Sequence, residues 1–147
     1  MTPTPESDGW IAGAPEEGPV VAGHATVLLV EDEADLASAL TADLEVQGYA
    51  VLTAPDGIAA LEMAQQALPQ IILLDLMLPK VDGYHVLKLL KANERCRQIP
   101  IVVVTARAGQ RDLELAVEAG ADACLVKPVR PETLFATLKT LLAPGGR

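Results

Sequence analysis

Aromatic residues are scarce: the 147-residue chain has one Trp, two Tyr and one Phe. Rings cannot supply much of the interior, so Leu, Val, Ile and Ala must fill it. Cysteine is scarcer still. Cys96 and Cys124 match no metal or redox spacing, which excludes a disulfide framework and leaves two reduced thiols. His24 and His85 have no companion ligands at useful spacing, and read as a tail residue and a helix-surface residue. Positive charge is missing from the first half of the chain, where no Lys or Arg precedes Lys80. With a formal net charge of −9, a general nucleic-acid surface is excluded. No apolar run approaches a membrane span, and the N-terminus lacks the basic segment of a signal peptide. The expectation is a cytoplasmic protein that engages neither nucleic acid nor membrane directly.

What remains is half apolar, enough for one compact domain at this length. Residues 1–24, rich in Pro, Gly and acids, show no period of either kind and are expected to form a flexible tail. Trp10-Ile11 is their only apolar point. From Thr26 the chain alternates. "TVLLV" is a β-branched apolar run, and the segment after it spaces Leu36, Leu40 and Leu44 helically up to Gly48. "YAVLTA", "QIILLDL", "IPIVVVTA" and "ACLVK" read as four more strands. The stretches between and after them read as helices, one placing Ile58, Leu61 and Leu68 on one side and one running from about Gly83 to Asn93. Strands 1, 3 and 4 are continuously apolar, as strands covered on both faces are. Short right-handed crossovers then give an α/β fold, a doubly wound five-stranded parallel sheet with helices on both faces.

In such a sheet every strand ends at one edge, where open α/β sheets bind ligands. Strand 1 ends in Glu31-Asp32, strand 3 in Asp75, strand 4 in Thr105 and strand 5 in Lys127-Pro128. Three carboxylates crowded together repel one another unless a cation joins them. Oxygen ligands of this kind suit a hard cation such as Mg²⁺. Beside a cation, Lys127 and Thr105 are equipped to hold a phosphoryl group, and a carboxylate can attack phosphorus to form an acyl phosphate. Asp75, on a central strand, is best placed. Each residue alone has a plainer reading: Asp32 as the cap of the first helix, Thr105 as a strand-end hydroxyl, Lys127 as an exposed lysine before a turn. Their arrival together at four strand ends favours a site.

"LLVEDE", "LLDLMLPKVDG", "PIVVVTA" and "GADACLVKP", with the lengths between them, closely resemble the receiver domain of bacterial two-component response regulators. The resemblance covers about Thr26 to Leu142 and divides the chain into a tail (1–24), a receiver domain (25–143) and a short C-terminal stub (144–147). It implies a flavodoxin-like strand order 2-1-3-4-5. It also implies phosphotransfer to an aspartate from a histidine kinase or histidine phosphotransfer protein, self-catalysed dephosphorylation, and output to a downstream protein. Such a domain is a switch, not an enzyme that turns over an outside substrate. Residue by residue, Asp75 is the implied phospho-acceptor. Asp32, Asp75 and the backbone carbonyl of Met77 bind Mg²⁺, with Glu31 acting largely through water. Thr105 is the switch hydroxyl and Lys127 pairs with phosphoryl oxygens. Pro128 fits the family's cis bond after that lysine.

One departure stands out. The family usually carries Tyr or Phe three residues before the lysine, and here that position is Cys124. Its odd spacing from Lys127 predicts that the two side chains take opposite faces of the sheet, with Cys124 beneath the fourth helix. Two other classes compete with the switch. One is a binding module of the same fold that is not phosphorylated, against which the full set of site residues speaks. The other is a hydrolase with an aspartyl-phosphate intermediate, as in haloacid dehalogenases, which place a second Asp where this chain has Met77. The acidic first half also predicts that a partner meeting the first helix brings basic groups.

Overall fold

The computed structural model describes residues 25–78, 81–106 and 109–143. The expected tail and stub lie outside the described residues. Ten elements alternate: β1 (Thr26–Val30), α1 (Ala34–Val46), β2 (Ala50–Ala54), α2 (Gly57–Ala67), β3 (Ile71–Asp75), α3 (Gly83–Ala92), β4 (Ile101–Thr105), α4 (Gln110–Glu118), β5 (Ala123–Val126) and α5 (Pro131–Leu142). All strand pairs are parallel, and the sheet order is β2-β1-β3-β4-β5. The three continuously apolar strands are the central three, as their composition requires.

Side chains alternate across the sheet and divide the core in two. Leu28, Val30, Ile72, Leu74, Ile101 and Val103 face one layer, packed against Val86, Leu87 and Leu90 of α3 and Ala116 of α4. Val27, Leu29, Ile71, Leu73 and Val102 face the other, against Leu44 of α1 and Leu134 and Leu138 of α5. Each large aliphatic side chain so buried contributes about 1.5–3 kcal/mol relative to exposure. Local signals set the ends. Gly48 closes α1 at φ 95°, a left-handed conformation that suits glycine. Asp56 caps α2 by accepting from the Ala59 N–H at 2.9 Å. Asp82 caps α3 by accepting from the Tyr84 N–H at 3.0 Å.

The reading of α2 needs correction. Ile58 is 56% exposed and Leu68 42% exposed, while the buried face consists of Gly57, Ala60 and Ala64. The cause is close packing against α3. A Cβ on Gly57 would sit 2.5 Å from Val86 Cγ2, so only small residues fit on that face. Leu68 has left the helical conformation, at φ 46°, and ends the helix. On α1, Leu44 alone is buried among the three leucines; Leu36 and Leu40 are half-buried.

Candidate functional site at the C-terminal sheet edge

The ends of β1, β3, β4 and β5 bring Glu31, Asp32, Asp75, Thr105 and Lys127 to one edge. Ladder register does the placing: Asp75 lies beside Val104, and Thr105 beside Val126. Glu31, Asp75 and Thr105 are at most 5% exposed, whereas Asp32 is exposed. Carboxylate oxygens of Glu31, Asp32 and Asp75 all lie within 4.8 Å of one another. Met77, two residues past the strand, donates its N–H to Asp75 Oδ1 at 2.9 Å while its side chain stays half-exposed.

Burying like charges so close is costly, and Lys127 offsets it. Its Nζ donates to Asp75 Oδ2 at 2.9 Å and to Glu31 Oε1 at 3.4 Å. Its own N–H donates to the Thr105 carbonyl at 2.9 Å, fixing where the side chain starts. Burial works to lower the Lys127 ammonium, but the hydrogen bonds and charges of Asp75 and Glu31 together hold it above its ordinary value. Burial pushes the Glu31 carboxyl up and the Asp75 charge adds to this; the Glu33 N–H and Lys127 pull the other way without cancelling it. The Lys127-Pro128 bond is cis.

Two of the plainer readings, those for Asp32 and Lys127, do not hold. Asp32 does not cap α1: Glu33 holds that position, with no side-chain cap bond. Glu31 ties the loop instead, its Oε2 accepting from the Glu33 N–H at 3.1 Å. Lys127 is paired and only partly exposed. Two features escaped the sequence reading. Glu31 shares the lysine with Asp75, which no spacing could reveal. Leu36 and Leu40 line a recess of about 370 Å³ with Val104, Lys127, Pro128 and Val129, and Leu40 also packs on the α1/α5 core. Their helical spacing was a signal for an apolar stripe, and two of its three leucines border the site. Cys124 packs on the layer that holds Ala116 of the fourth helix and Ala119 just past its end, as the parity argument predicted.

Comparison with known proteins decides the family. The family model described as "Response regulator receiver domain" matches residues 27–139. The chain belongs to the response regulator receiver family. This receiver domain is 38% identical over 116 residues to the DNA-binding dual master transcriptional regulator RpaA of Synechocystis sp., covering 79% of this chain and 48% of that protein. It is 42% identical over 117 residues to the response regulator PleD of Caulobacter vibrioides, covering 80% of this chain and 26% of that protein. The chain thus spans half or less of these curated relatives.

Two solved structures are similar over four fifths of this chain. One is the receiver domain of the sensor histidine kinase PA1611 from Pseudomonas aeruginosa, crystallised with a magnesium ion coordinated in its active site cleft. It is 35% identical with a TM-score of 0.75, over 80% of this chain and 97% of that one. The chemotaxis protein CheY4 of Vibrio cholerae is 33% identical with a TM-score of 0.76, over 80% and 98%. Receiver domains are signalling modules of two-component systems, and the flavodoxin-like order expected from the resemblance is the one observed. No helix among the described residues is long and apolar enough to cross a membrane.

Proposed function

We propose that this receiver domain accepts a phosphoryl group on Asp75 from a histidine kinase or histidine phosphotransfer protein, and passes the signal on by protein–protein contact. The carrying observation is the Lys127 ammonium held between Asp75 and Glu31 at 2.9 and 3.4 Å. A cation and a nearly buried carboxylate stand together at the sheet edge, where a phosphoryl group would arrive. In the transfer, a carboxylate oxygen of Asp75 forms a bond to phosphorus while the bond from phosphorus to the histidine nitrogen breaks. The electron pair leaves with the imidazole. Lys127 then turns its ammonium to the phosphoryl oxygens, which carry more charge than the carboxylate they replace, and the Thr105 hydroxyl donates to another of them. Water later cleaves the acyl phosphate, so the domain resets itself without turning over an outside substrate.

The donor set also fits a hard divalent cation: three carboxylates converge, and Lys127 satisfies only two of them. Asp32, Asp75 and the Met77 carbonyl would hold Mg²⁺ directly, with Glu31 acting through water. When bound, Mg²⁺ neutralises charge that the lysine alone leaves uncompensated. Asp32 is free of any capping duty and open to solvent, which suits a ligand that must admit an ion. The recess beside Lys127, bordered by Leu36 and Leu40, offers the donor protein an apolar foothold next to the acceptor. The acidic face of α1, with Asp35, Asp43 and Glu45 exposed, would favour a donor with basic groups. A donor of this class works in the cytoplasm, and residues 25–143 suffice to form the switch.

Incubation with Mg²⁺ and acetyl phosphate tests the reading. Intact mass should rise by one phosphoryl group, roughly 80 Da, with about −1.5 to −2 of added charge. Asp75→Asn should gain nothing; equal modification of the substituted protein would overturn the acceptor assignment.

A further inference from the structure

The aromatic side chains of the described residues divide unequally between the two core layers. Tyr49 and Phe135 lie on the α1/α5 side, and Tyr84 alone packs on the side of α3 and α4. Tyr84 occupies the first turn of α3, and its hydroxyl donates to the Asp112 carbonyl in the first turn of α4 at 3.1 Å. That carbonyl has a second lone pair for the helix ladder, so the contact costs α4 nothing.

The position of Tyr84 is set by the acceptor loop. Leu76 follows Asp75 directly, and its N–H donates to the Val104 carbonyl at 3.3 Å. A Cβ on Gly83 would lie 2.5 Å from Leu76 Cα and 2.6 Å from Leu76 O. Backbone thus meets backbone with no side chain between, and slack is minimal. The Asp82 cap then fixes the Tyr84 N–H at 3.0 Å. The far end of α4 is held differently. A Cβ on Gly120, at φ 113°, would lie 2.6 Å from Lys91 Cγ. The Lys91 ammonium donates to the Ile99 carbonyl at 3.0 Å and to Asp122 at 2.9 Å, and Asp122 also accepts from the Ile101 N–H at 2.8 Å. That anchor is charge-assisted and multiple. The hydroxyl bond at the near end is neutral.

We propose that Tyr84 is a positioning residue whose hydroxyl latches the first turn of α4 to α3 in the resting domain, and that the Gly83–Leu76 contact carries displacement of the acceptor loop to this latch. The inference rests on Asp75 as acceptor. Strain at Asp75 reaches Gly83 through one tight contact, moves Tyr84, and releases the first turn of α4. The helix then pivots about its anchored end at Gly120, changing the cover over Cys124 on the same layer.

Tyr84→Phe in the full chain tests it, since the ring stays and only the hydroxyl goes. Amide hydrogen exchange in the first turn of α4 should speed up about two- to tenfold, the range for one net hydrogen bond, while amides at Ala119 and Gly120 keep their protection. With Mg²⁺, the beryllofluoride concentration that half-converts the α4 amide shifts should fall by a similar factor, because the resting state has lost a contact the active state lacks. Unchanged exchange and midpoint, a uniform loss of protection along α4 and the core, or a raised midpoint would each overturn the latch. Phosphorylation by acetyl phosphate is scored separately by mass. If neither protein is modified, the acceptor assignment fails, and the exchange comparison in the resting state still decides whether the latch exists.

Discussion

Replacing Lys127 by Met removes the cation from the acidic site while keeping the aliphatic stem. Its Nζ stands 2.9 Å from Asp75 and 3.4 Å from Glu31, whose side chains are each only 3% exposed. At an effective dielectric near 20, each contact amounts to about 5 kcal/mol of raw attraction, most of it consumed by desolvation. Removing one partner of a buried pair typically costs about 3–5 kcal/mol, because the other charge remains. The Lys127 side chain is 22% exposed, so water screens part of the attraction and about 2–3 kcal/mol is the expected loss. Urea unfolding in EDTA at neutral pH measures it. The lysine is held above its ordinary value by the carboxylates. Its contribution is therefore complete below the unfolded lysine pKa and lost only as pH rises through the folded value. Saturating Mg²⁺ should narrow the gap, since a divalent cation would supply the charge that was removed. A variant as stable as the native protein in EDTA, or a gap that Mg²⁺ leaves unchanged, would refute the reasoning.

Asp32→Asn should weaken Mg²⁺ affinity tenfold or so, about 1.4 kcal/mol, while metal-free stability stays within about 0.5 kcal/mol, as for other exposed sites. A loss above that in metal-free melts would mean that Asp32 has a structural duty the geometry does not show. Burial pushes the Cys124 thiol above its ordinary value, so in a Cys96→Ser background its reaction with a disulfide reagent should be slow at neutral pH. The rate should rise with pH as the thiolate forms, and it should differ with and without beryllofluoride if α4 moves over it. A rate matching that of a free small thiol, or one indifferent to the mimic, would contradict this placement.

The alternation of elements was legible because strands covered on both faces must be continuously apolar, and β1, β3 and β4 are. The site was legible for a related reason. A greasy strand such as Ile71–Leu74 ending on Asp75 has few explanations besides an edge that wants charge. Parity sufficed to place Cys124 opposite Lys127, since it depends only on the pleat. The inward face of α2 was hidden because its spacing to α3 at Val86 demands Gly57, Ala60 and Ala64, residues with almost no apolar signal of their own. Lys127 bonding to Glu31 as well as Asp75 was hidden too, because it depends on where β1 and β5 end in space, with β3 and β4 between them.

The most direct test of the account is chemical mapping of the modified residue. After treatment with acetyl phosphate and Mg²⁺, borohydride reduces an acyl phosphate to the alcohol, turning a phosphorylated aspartate into homoserine. Peptide mass mapping should find homoserine at position 75 alone, and none when Mg²⁺ is replaced by EDTA. Homoserine at Asp32, or no conversion anywhere in a protein that binds Mg²⁺, would contradict Asp75 as the phospho-acceptor.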